Sequence, residues 1–293
     1  MLTIATCAAY PELPANLLPL LDALAERGIR ARAEPWQNRP QTPFVLPLCA
    51  WDYAAYPDGF TRWLTAAEQG GQWFANPPAL MRWNMDKRYL IDLAEKGIDV
   101  IPSATLPADE TLIRRTVRGR GWHTAVVKPL VGQSGRGVEK FVSDGPLPDL
   151  RQYPQGVLVQ PYLQDIETEG EISMIFIGGT FSHAVKRQPK AGEWRANSAY
   201  GVQVFPYRPS ETALAAARRA LSALPETPLY ARVDGTFWRN APHVFRQNLR
   251  RSFSDGLFVL NELELIEPAL YPDTAPDAVP KLADALAQWI QAV

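Results

Sequence analysis

The chain has 293 residues, of which 46% are hydrophobic and 21% are charged. A chain of this length and composition can bury a substantial core, and we expect two or three lobes of one compact unit. Its 30 Lys and Arg residues nearly balance its 31 Asp and Glu residues, for a net charge of -1. This balance argues against a nucleic-acid partner, which would favour a basic surface.

Cysteine content and the length of the apolar segments indicate the cellular compartment of the protein. Cys7 and Cys49 both lie in apolar, strand-like segments, and we interpret them as buried thiols in a reducing compartment. The N-terminus lacks a basic region before its apolar stretch, and no apolar segment reaches the ~20 residues that a membrane span needs. We therefore expect a cytoplasmic location and no membrane partner.

The first ~75 residues have the pattern of a small βαβ lobe, with period-two and period-3.6 apolar segments in alternation. The predicted elements are a strand at 2–7, a helix around 17–24 that ends before Gly28, strands at 29–33 and 44–48, and a helix at 60–67. No G-x-G-x-x-G follows the first strand, so the usual dinucleotide fingerprint is absent.

Pro77-Pro78 predicts a linker after this lobe. Asn84 is a candidate N-cap for a helix from Met85 to Lys96 that Gly97 would end. Lys87 would then lie in the first turn of that helix, where a cation opposes the helix dipole unless solvent or an anion offsets it.

A glycine-rich loop, residues 130–136, lies between predicted strands at 124–129 and 138–142, with Lys128 just before it. Glycines let backbone N–H groups approach an anion, and a lysine supplies a point charge for phosphate. The loop does not lead into a helix and no Gly-Lys-Ser/Thr follows, which excludes a Walker A site. The H-R-D and D-F-G motifs of protein kinases are also missing.

The C-terminal half contains a predicted strand pair and a predicted acidic strand. Residues 172–177 and 181–187 bracket Gly178-Gly179-Thr180 as a hairpin, and Leu229 to Asp234 reads as a strand with Arg232 and Asp234 on one face. Alternation also places Glu262 and Glu264 on one face of a strand. Two like charges side by side favour a bound cation such as Mg²⁺, with a solvent-facing acidic edge as the alternative. Helices are predicted at 213–224 and 279–290.

Taken in order, Lys87, Lys128, the glycine loop, Gln160-Pro161-Tyr162-Leu163, and the charged residues that follow resemble the ATP-grasp superfamily. The chain is most similar to its glutathione-synthetase-like branch, and within that branch to the O-ureido-serine cyclo-ligases of cycloserine biosynthesis. One departure is the Glu262-Leu263-Glu264 strand, where the glutathione-synthetase pattern has Glu-x-Asn.

The resemblance implies an α/β ATP-grasp fold with a Rossmann-like N-terminal lobe, a central lid lobe and a C-terminal metal-carrying lobe. The implied boundaries are 1–76 for the first lobe, 77–102 for a linker helix and strand, 103–161 for the lid and 162–293 for the last lobe.

The resemblance also implies roles for individual residues. Those that would bind ATP are Lys87, Lys128, Gly132, Ser134, Gly135, Gly137, Gln160, Tyr162, Leu163 and Glu171, with Glu167 or Glu169 as alternatives to Glu171 at the ribose. Arg187, Arg195 and Arg232 would act in catalysis. Asp234, Glu262 and Glu264 would hold Mg²⁺.

The implied activity is ATP-dependent activation of a carboxylate on a small amino-acid-derived substrate, followed by attack of a nitrogen from the same molecule. The alternatives are ligation of an amino acid to a peptide or protein, and a nucleotide-binding module without turnover. The sequence is compatible with a homo-oligomer. Residues 235–255 are predicted to form a long connection with Arg239, Arg246, Arg250 and Arg251, either a basic loop or a surface insertion. His123, His183 and His243 are too widely spaced for a zinc site.

Overall fold

The computed structural model describes residues 1–241 and 256–293, and it contains three sheets. The first sheet is parallel, with the strand order β2-β1-β3-β4. Its elements are β1 (Leu2–Thr6), α1 (Pro19–Glu26), β2 (Ala31–Pro35), β3 (Phe44–Leu46), α2 (Pro57–Gln69) and β4 (Trp73–Phe74). Leu20 and Leu24 of α1 are buried, and Gly28 follows the helix at a positive φ of 74°. The predicted βαβ lobe is confirmed.

The segment after this lobe differs from the prediction. Pro78 opens a helix, α3 (Pro78–Met85), and a second helix, α4 (Tyr89–Glu95), follows it. Asn84 therefore lies inside α3, and its predicted role as an N-cap is wrong, as is the single helix from Met85 to Lys96. Lys87 lies in the connection between the helices, and its backbone N–H donates to the carbonyl of Leu130. A proline at the first helical position costs nothing, because its missing N–H would have no partner there.

The central sheet is antiparallel, with the order β5-β8-β6-β7. Its elements are β5 (Ala104–Leu106), α5 (Glu110–Gly119), β6 (Thr124–Pro129), β7 (Glu139–Val142) and β8 (Val157–Pro161). Ile113 and Val117 of α5 pack on Val127 and Val159 of the sheet. The glycine loop joins β6 to β7, as predicted.

The third sheet is antiparallel, with the order β11-β10-β9-β12-β13. Its strands are β9 (Glu171–Ile177), β10 (Thr180–Gln188), β11 (Gln203–Tyr207), β12 (Tyr230–Trp238) and β13 (Leu257–Glu264). The helices of this region are α6 (Gln164–Glu169), α7 (Glu211–Ser222) and α8 (Ala278–Ala292). The hairpin at Gly178-Gly179 is confirmed.

A β-bulge interrupts the pairing of β12 with β13. Asp234 faces Glu262, but the next residue, Gly235, faces Leu260, so Asn261 has no partner across the ladder. A bulge shifts the side-chain alternation by one residue. Phe258 and Leu260 before it, and Leu263 after it, accordingly contact the same core. A Cβ on Gly235 would meet the Val259 carbonyl oxygen at 2.5 Å, so this position needs glycine.

The outer edge of β13 is covered by the segment that contains α3 and α4. The Asn84 side chain donates to the carbonyl of Leu263 and accepts from the N–H of Leu265, at 2.8 and 2.9 Å. The Tyr89 hydroxyl accepts from the Leu263 N–H at 2.8 Å. Side chains thus satisfy backbone groups that a further strand would otherwise pair, and the position of β13 is set by this segment.

The remaining expectations have mixed outcomes. Cys7 and Cys49 are free, buried thiols, as interpreted. The connection predicted from Gly235 is wrong at its start, because Gly235 to Trp238 continue β12. His243, Arg246, Arg250 and Arg251 lie outside the described residues. Across 1–241 and 256–293, no helix is long and apolar enough to cross a membrane. The domain boundaries stay a prediction.

Asn76 joins the first lobe to the third sheet. Its buried amide donates to the carbonyls of Tyr230 and Leu265 and accepts from the N–H of Leu229, each at 2.8 Å. Leucine has a similar size but no polar atoms, so Asn76→Leu would leave these backbone groups without partners. We expect urea unfolding to show a loss of about 2–4 kcal/mol for Asn76→Leu. Exposed Asn38→Ala is the control, with a change within about 0.5 kcal/mol. Equal stabilities for Asn76→Leu and the unmodified chain would contradict the assignment.

Candidate active site

The central and third sheets border a cleft, to which the first lobe contributes Tyr53. The predicted site residues that line it are Lys87, Lys128, Gly132, Ser134, Gly135, Gln160, Tyr162, Leu163, Glu171, Arg195, Glu262 and Glu264. Gly137, Arg187, Arg232 and Asp234 are not among the lining residues. Side chains that are far apart in the sequence therefore share one cleft.

β13 runs along the cleft, so the order of its residues gives the order of the groups along the cleft. Val259 packs with Ile101 and Leu163 at one end, next to the Gln160–Leu163 segment. Glu262 and Glu264 follow, roughly 10 to 17 Å further along at about 3.3 Å per residue. Ile266, just past the strand, packs into the core of the first lobe. The cleft thus has one end at the hinge segment and the other at the first lobe.

Asp234, Glu262 and Glu264 form a carboxylate cluster, in which one oxygen of each lies within 4.8 Å of the others. Strand register produces the cluster, because Asp234 faces Glu262 and Arg232 faces Glu264 across the β12–β13 ladder. Three carboxylates at this spacing are the hard oxygen ligands that Mg²⁺ prefers. The donor set therefore fits a divalent cation, which agrees with the predicted ligand residues.

Cationic side chains contact each member of the cluster. Arg187 Nη2 lies 2.8 Å from Asp234 Oδ2, and Arg232 Nε lies 3.0 Å from Asp234 Oδ1. Arg232 also pairs with Glu264, and Lys87 pairs with Glu262. Asp234 is fully buried and both of its oxygens accept from guanidinium groups. The two arginines thus lie behind the carboxylates and orient Asp234, and their predicted catalytic role stays a prediction.

Burial shifts the pKa of several groups in the cleft. Burial and the neighbouring carboxylates Asp234 and Glu262 raise the pKa of Glu264 to about 7, against the opposing effect of Arg232. Burial raises the pKa of Glu267 to about 8, with Glu264 adding to the effect. Burial lowers the pKa of Lys128 to about 8. Burial thus favours the neutral form of all three groups in the absence of ligands.

Asn261 links two of the predicted site residues. Its side-chain oxygen accepts from Lys128 Nζ at 2.9 Å, and its amide donates to Glu171. Glu171 also pairs with Arg187, so both of its oxygens are engaged. A ribose contact by Glu171 stays a prediction. Period-two alternation predicts that Asn261 lies on the face of the strand opposite Glu262. The bulge turns Asn261 towards the cleft instead, and no local sequence pattern indicates this bulge.

The glycine loop is held from both sides. The Gln133 side chain accepts from the Ala54 N–H at 3.3 Å and donates to the Trp51 carbonyl, both in the first lobe. On the other side, the Tyr200 hydroxyl donates to the Gly135 carbonyl at 3.1 Å. Gly135 has a φ of +71°, and a Cβ there would lie 2.7 Å from the Asn197 side chain. The loop therefore needs glycine at this position.

Aromatic and charged groups surround the hinge end of the cleft. Lys140 Nζ lies 4.2 Å from the centre of the Tyr162 ring, and the Tyr162 hydroxyl bonds to Glu167. Arg195 pairs with Glu193 at 2.9 Å and stacks over the Tyr200 ring at 3.5 Å. Arg195 thus reaches the cleft with its charge already paired, and its predicted catalytic role stays a prediction.

Two family models match consecutive parts of the chain. Residues 2–76 match the N-terminal domain of the D-cycloserine synthetase DcsG. Residues 93–230 match the ATP-grasp domain of prokaryotic glutathione synthetase. The second range includes Lys128, the glycine loop and the hinge segment, and it ends before all three carboxylates of the cluster.

Individual relatives agree with these models. The chain is 27% identical to the cycloserine biosynthesis protein DcsG of Streptomyces lavendulae, over 99% of each chain. The crystal structure of D-cycloserine synthetase DcsG superposes with a TM-score of 0.83, at 26% identity and 99% coverage of both chains. D-Alanine–D-alanine ligase from Bacillus anthracis in complex with ATP has a TM-score of 0.66 at 15% identity, over 99% of this chain and 98% of that one, which shows the shared fold. The chain therefore has the domain order of an ATP-grasp ligase, with a region similar to the DcsG N-terminal domain ahead of a region similar to the glutathione-synthetase ATP-grasp domain.

Proposed function

We propose that this ligase uses Mg-ATP to phosphorylate the carboxylate of a small, amino-acid-derived substrate, and that a nitrogen of the same molecule then attacks the acyl-phosphate. The products are a ring with a new carbon–nitrogen bond, ADP and phosphate. One observation carries the proposal, which is that Lys87 and Lys128 share a cleft with Glu262 and Glu264, whose carboxylates cluster with that of Asp234. Phosphoryl transfer depends on cations placed around developing charge, and this cleft supplies them.

Different residues along the cleft bind different parts of Mg-ATP. Lys87 and Lys128 donate to phosphate oxygens, and the backbone of Gly132 to Gly137 covers them. Tyr162 and Leu163 receive the adenine. Glu262 and Glu264 would hold Mg²⁺ with Asp234, and the ion would neutralise charge on the phosphates. Arg187 and Arg232 keep Asp234 in position for that binding.

Ring closure, rather than ligation of two molecules, is supported by the similarity to DcsG over the whole chain, N-terminal domain included. The ATP-grasp ligase PsnB, whose structure was solved with a minimal precursor, shares the fold at 15% identity and a TM-score of 0.64, over 99% of this chain and 98% of that one. Ligation to a separate amine is the alternative. Mass spectrometry of the product separates the two, because only ring closure proceeds with no added amine.

Glu262→Gln tests the role of the carboxylate cluster. The variant keeps the size of the side chain but removes the charge that pairs with Lys87 and binds Mg²⁺. With O-ureidoserine, ATP and Mg²⁺, we expect ADP formation to fall at least about 100-fold, while ADP binding is partly retained. Glu95→Gln, at an exposed position on α4, is the matched control. Unchanged turnover in Glu262→Gln would refute the cluster's role.

The lowered pKa of Lys128 predicts how nucleotide binding depends on pH. Burial lowers the pKa of Lys128 to about 8 in the free protein, and a bound phosphate favours the protonated form. Above pH 8 binding must therefore take up a proton, and the Kd for Mg-ADP should rise by up to about tenfold per pH unit. Calorimetry between pH 7 and 9.5 measures this rise.

Lys128→Arg is the matched variant for this measurement, because arginine stays protonated over the whole range. Its Kd for Mg-ADP should lack the rise above pH 8 that the unmodified chain shows. Identical pH dependence in Lys128→Arg and the unmodified chain would show that another group titrates.

A further inference from the structure

The cleft continues past the carboxylate cluster to a carboxyl group that the proposed mechanism does not use. Glu267 lines the cleft three residues beyond Glu264, and only 9% of its surface is exposed. It lies outside the set of carboxylates close enough to share one metal ion. The metal cluster therefore does not explain why a glutamate is buried here.

Glu267 also differs from the other acidic residues of the cleft in its partners. Glu262 pairs with Lys87, Glu264 and Asp234 pair with Arg232, and Glu171 pairs with Arg187. Among residues 1–241 and 256–293, Glu267 makes no ion pair, and the opposing effect of Arg232 on its pKa is outweighed by burial. A carboxyl group that lines the cleft with no cation paired to it is available to pair with a cationic ligand.

Tyr53 of the first lobe lines the same cleft as Glu267. Burial raises the pKa of Tyr53, and Glu267 is the charged group with the largest effect on it. The Tyr53 ring packs on Phe60 at 5.3 Å between ring centres. Within the described part of the chain, the Tyr53 hydroxyl has no hydrogen-bond partner. An aromatic ring next to a carboxylate is a favourable surface for an ammonium group.

The position of Glu267 separates it from the nucleotide end. Along β13, the hinge contact at Val259 comes first, the cluster at Glu262 and Glu264 follows, and the chain then enters the first lobe at Ile266. A ligand at Glu267 would lie on the side of the phosphates that is opposite to the adenine. The acceptor of the phosphoryl group must occupy that side.

We propose that Glu267 binds the ammonium group of the substrate whose carboxylate is activated, with the Tyr53 ring and hydroxyl forming the adjacent wall. Glu267 is then the residue that selects α-amino acids over acids without an amino group. This inference rests on the proposed function, because it places the substrate carboxylate at the phosphates.

The test compares two ligands that differ only in the amino group, O-ureidoserine in each enantiomer and 3-(ureidooxy)propanoic acid. Their dissociation constants are measured by calorimetry on the full chain with Mg-ADP present, so that the result does not depend on turnover. The unmodified chain should bind the better O-ureidoserine enantiomer at least tenfold more tightly than the acid without the amino group. Glu267→Gln should reduce this preference to less than threefold, and Glu267→Asp should retain part of it.

A second measurement separates ligand binding from a structural role. Glu267→Gln replaces a buried carboxyl group that makes no ion pair with an uncharged group of similar size, so its midpoint of urea unfolding should equal or exceed that of the unmodified chain. The Kd for Mg-ADP should be unchanged, as in Glu95→Gln. A marked loss of stability would assign Glu267 to the fold and overturn the inference.

The other outcomes distinguish this inference from the proposed function. Amino-selective binding that Glu267→Gln abolishes, without ADP formation, supports the ammonium site and refutes the cyclo-ligase activity. ADP formation with equal affinity for both ligands, or with a preference that Glu267→Gln retains, supports the activity and overturns the ammonium site. Failure of both ligands to bind also overturns it.

Discussion

Repulsion among three carboxylates is the constraint on which this site depends. Asp234, Glu262 and Glu264 lie on adjacent strands with ligand oxygens within 4.8 Å of one another. Such a cluster is tolerated only where cations lie close to it. Arg187 and Arg232 supply charge from within the same sheet, and Lys87 supplies it from the segment between α3 and α4. The site therefore exists only when separate elements of the chain pack together.

The segment between the first lobe and the central sheet has two structural functions. Asn84 and Tyr89 satisfy backbone groups on the exposed edge of β13, and the same segment brings Lys87 to Glu262. An edge strand without such cover would be free to move or to pair with another chain. Rigid support behind a binding residue improves the precision of the site. We infer that the geometry of the cluster and that of Lys87 are set together.

The cleft also connects two parts of the chain that match different family models. The hinge, Lys128 and the glycine loop fall within the range that matches the glutathione-synthetase ATP-grasp domain. Tyr53, and the backbone of Trp51 and Ala54 that Gln133 contacts, fall within the DcsG-type domain. The nucleotide end is thus built from the common part of the fold, while the far end is built partly from the N-terminal domain. Specificity for the acceptor is expected to reside in that second part.

Local sequence determined much of this protein. Alternating apolar residues predicted the strands that carry Lys128, Asp234 and Glu262, because a half-buried strand repeats every two residues. The resemblance of the ordered motifs to ATP-grasp proteins then predicted the fold. Local sequence did not reveal the helix break around Lys87, which follows from packing of α3 and α4 on β13.

Tertiary structure alone decided the contacts of Asn84, Asn261 and Glu267. Asn84 looked like a helix cap, but its amide pairs with a strand 179 residues away. Asn261 faces the cleft only because the bulge shifts the alternation of β13. Glu267 differs from the other acidic residues of the cleft because it has no cationic partner. This difference can be recognised only when the positions of all neighbouring side chains are known. These properties depend on groups far apart in the chain, which no local pattern can encode.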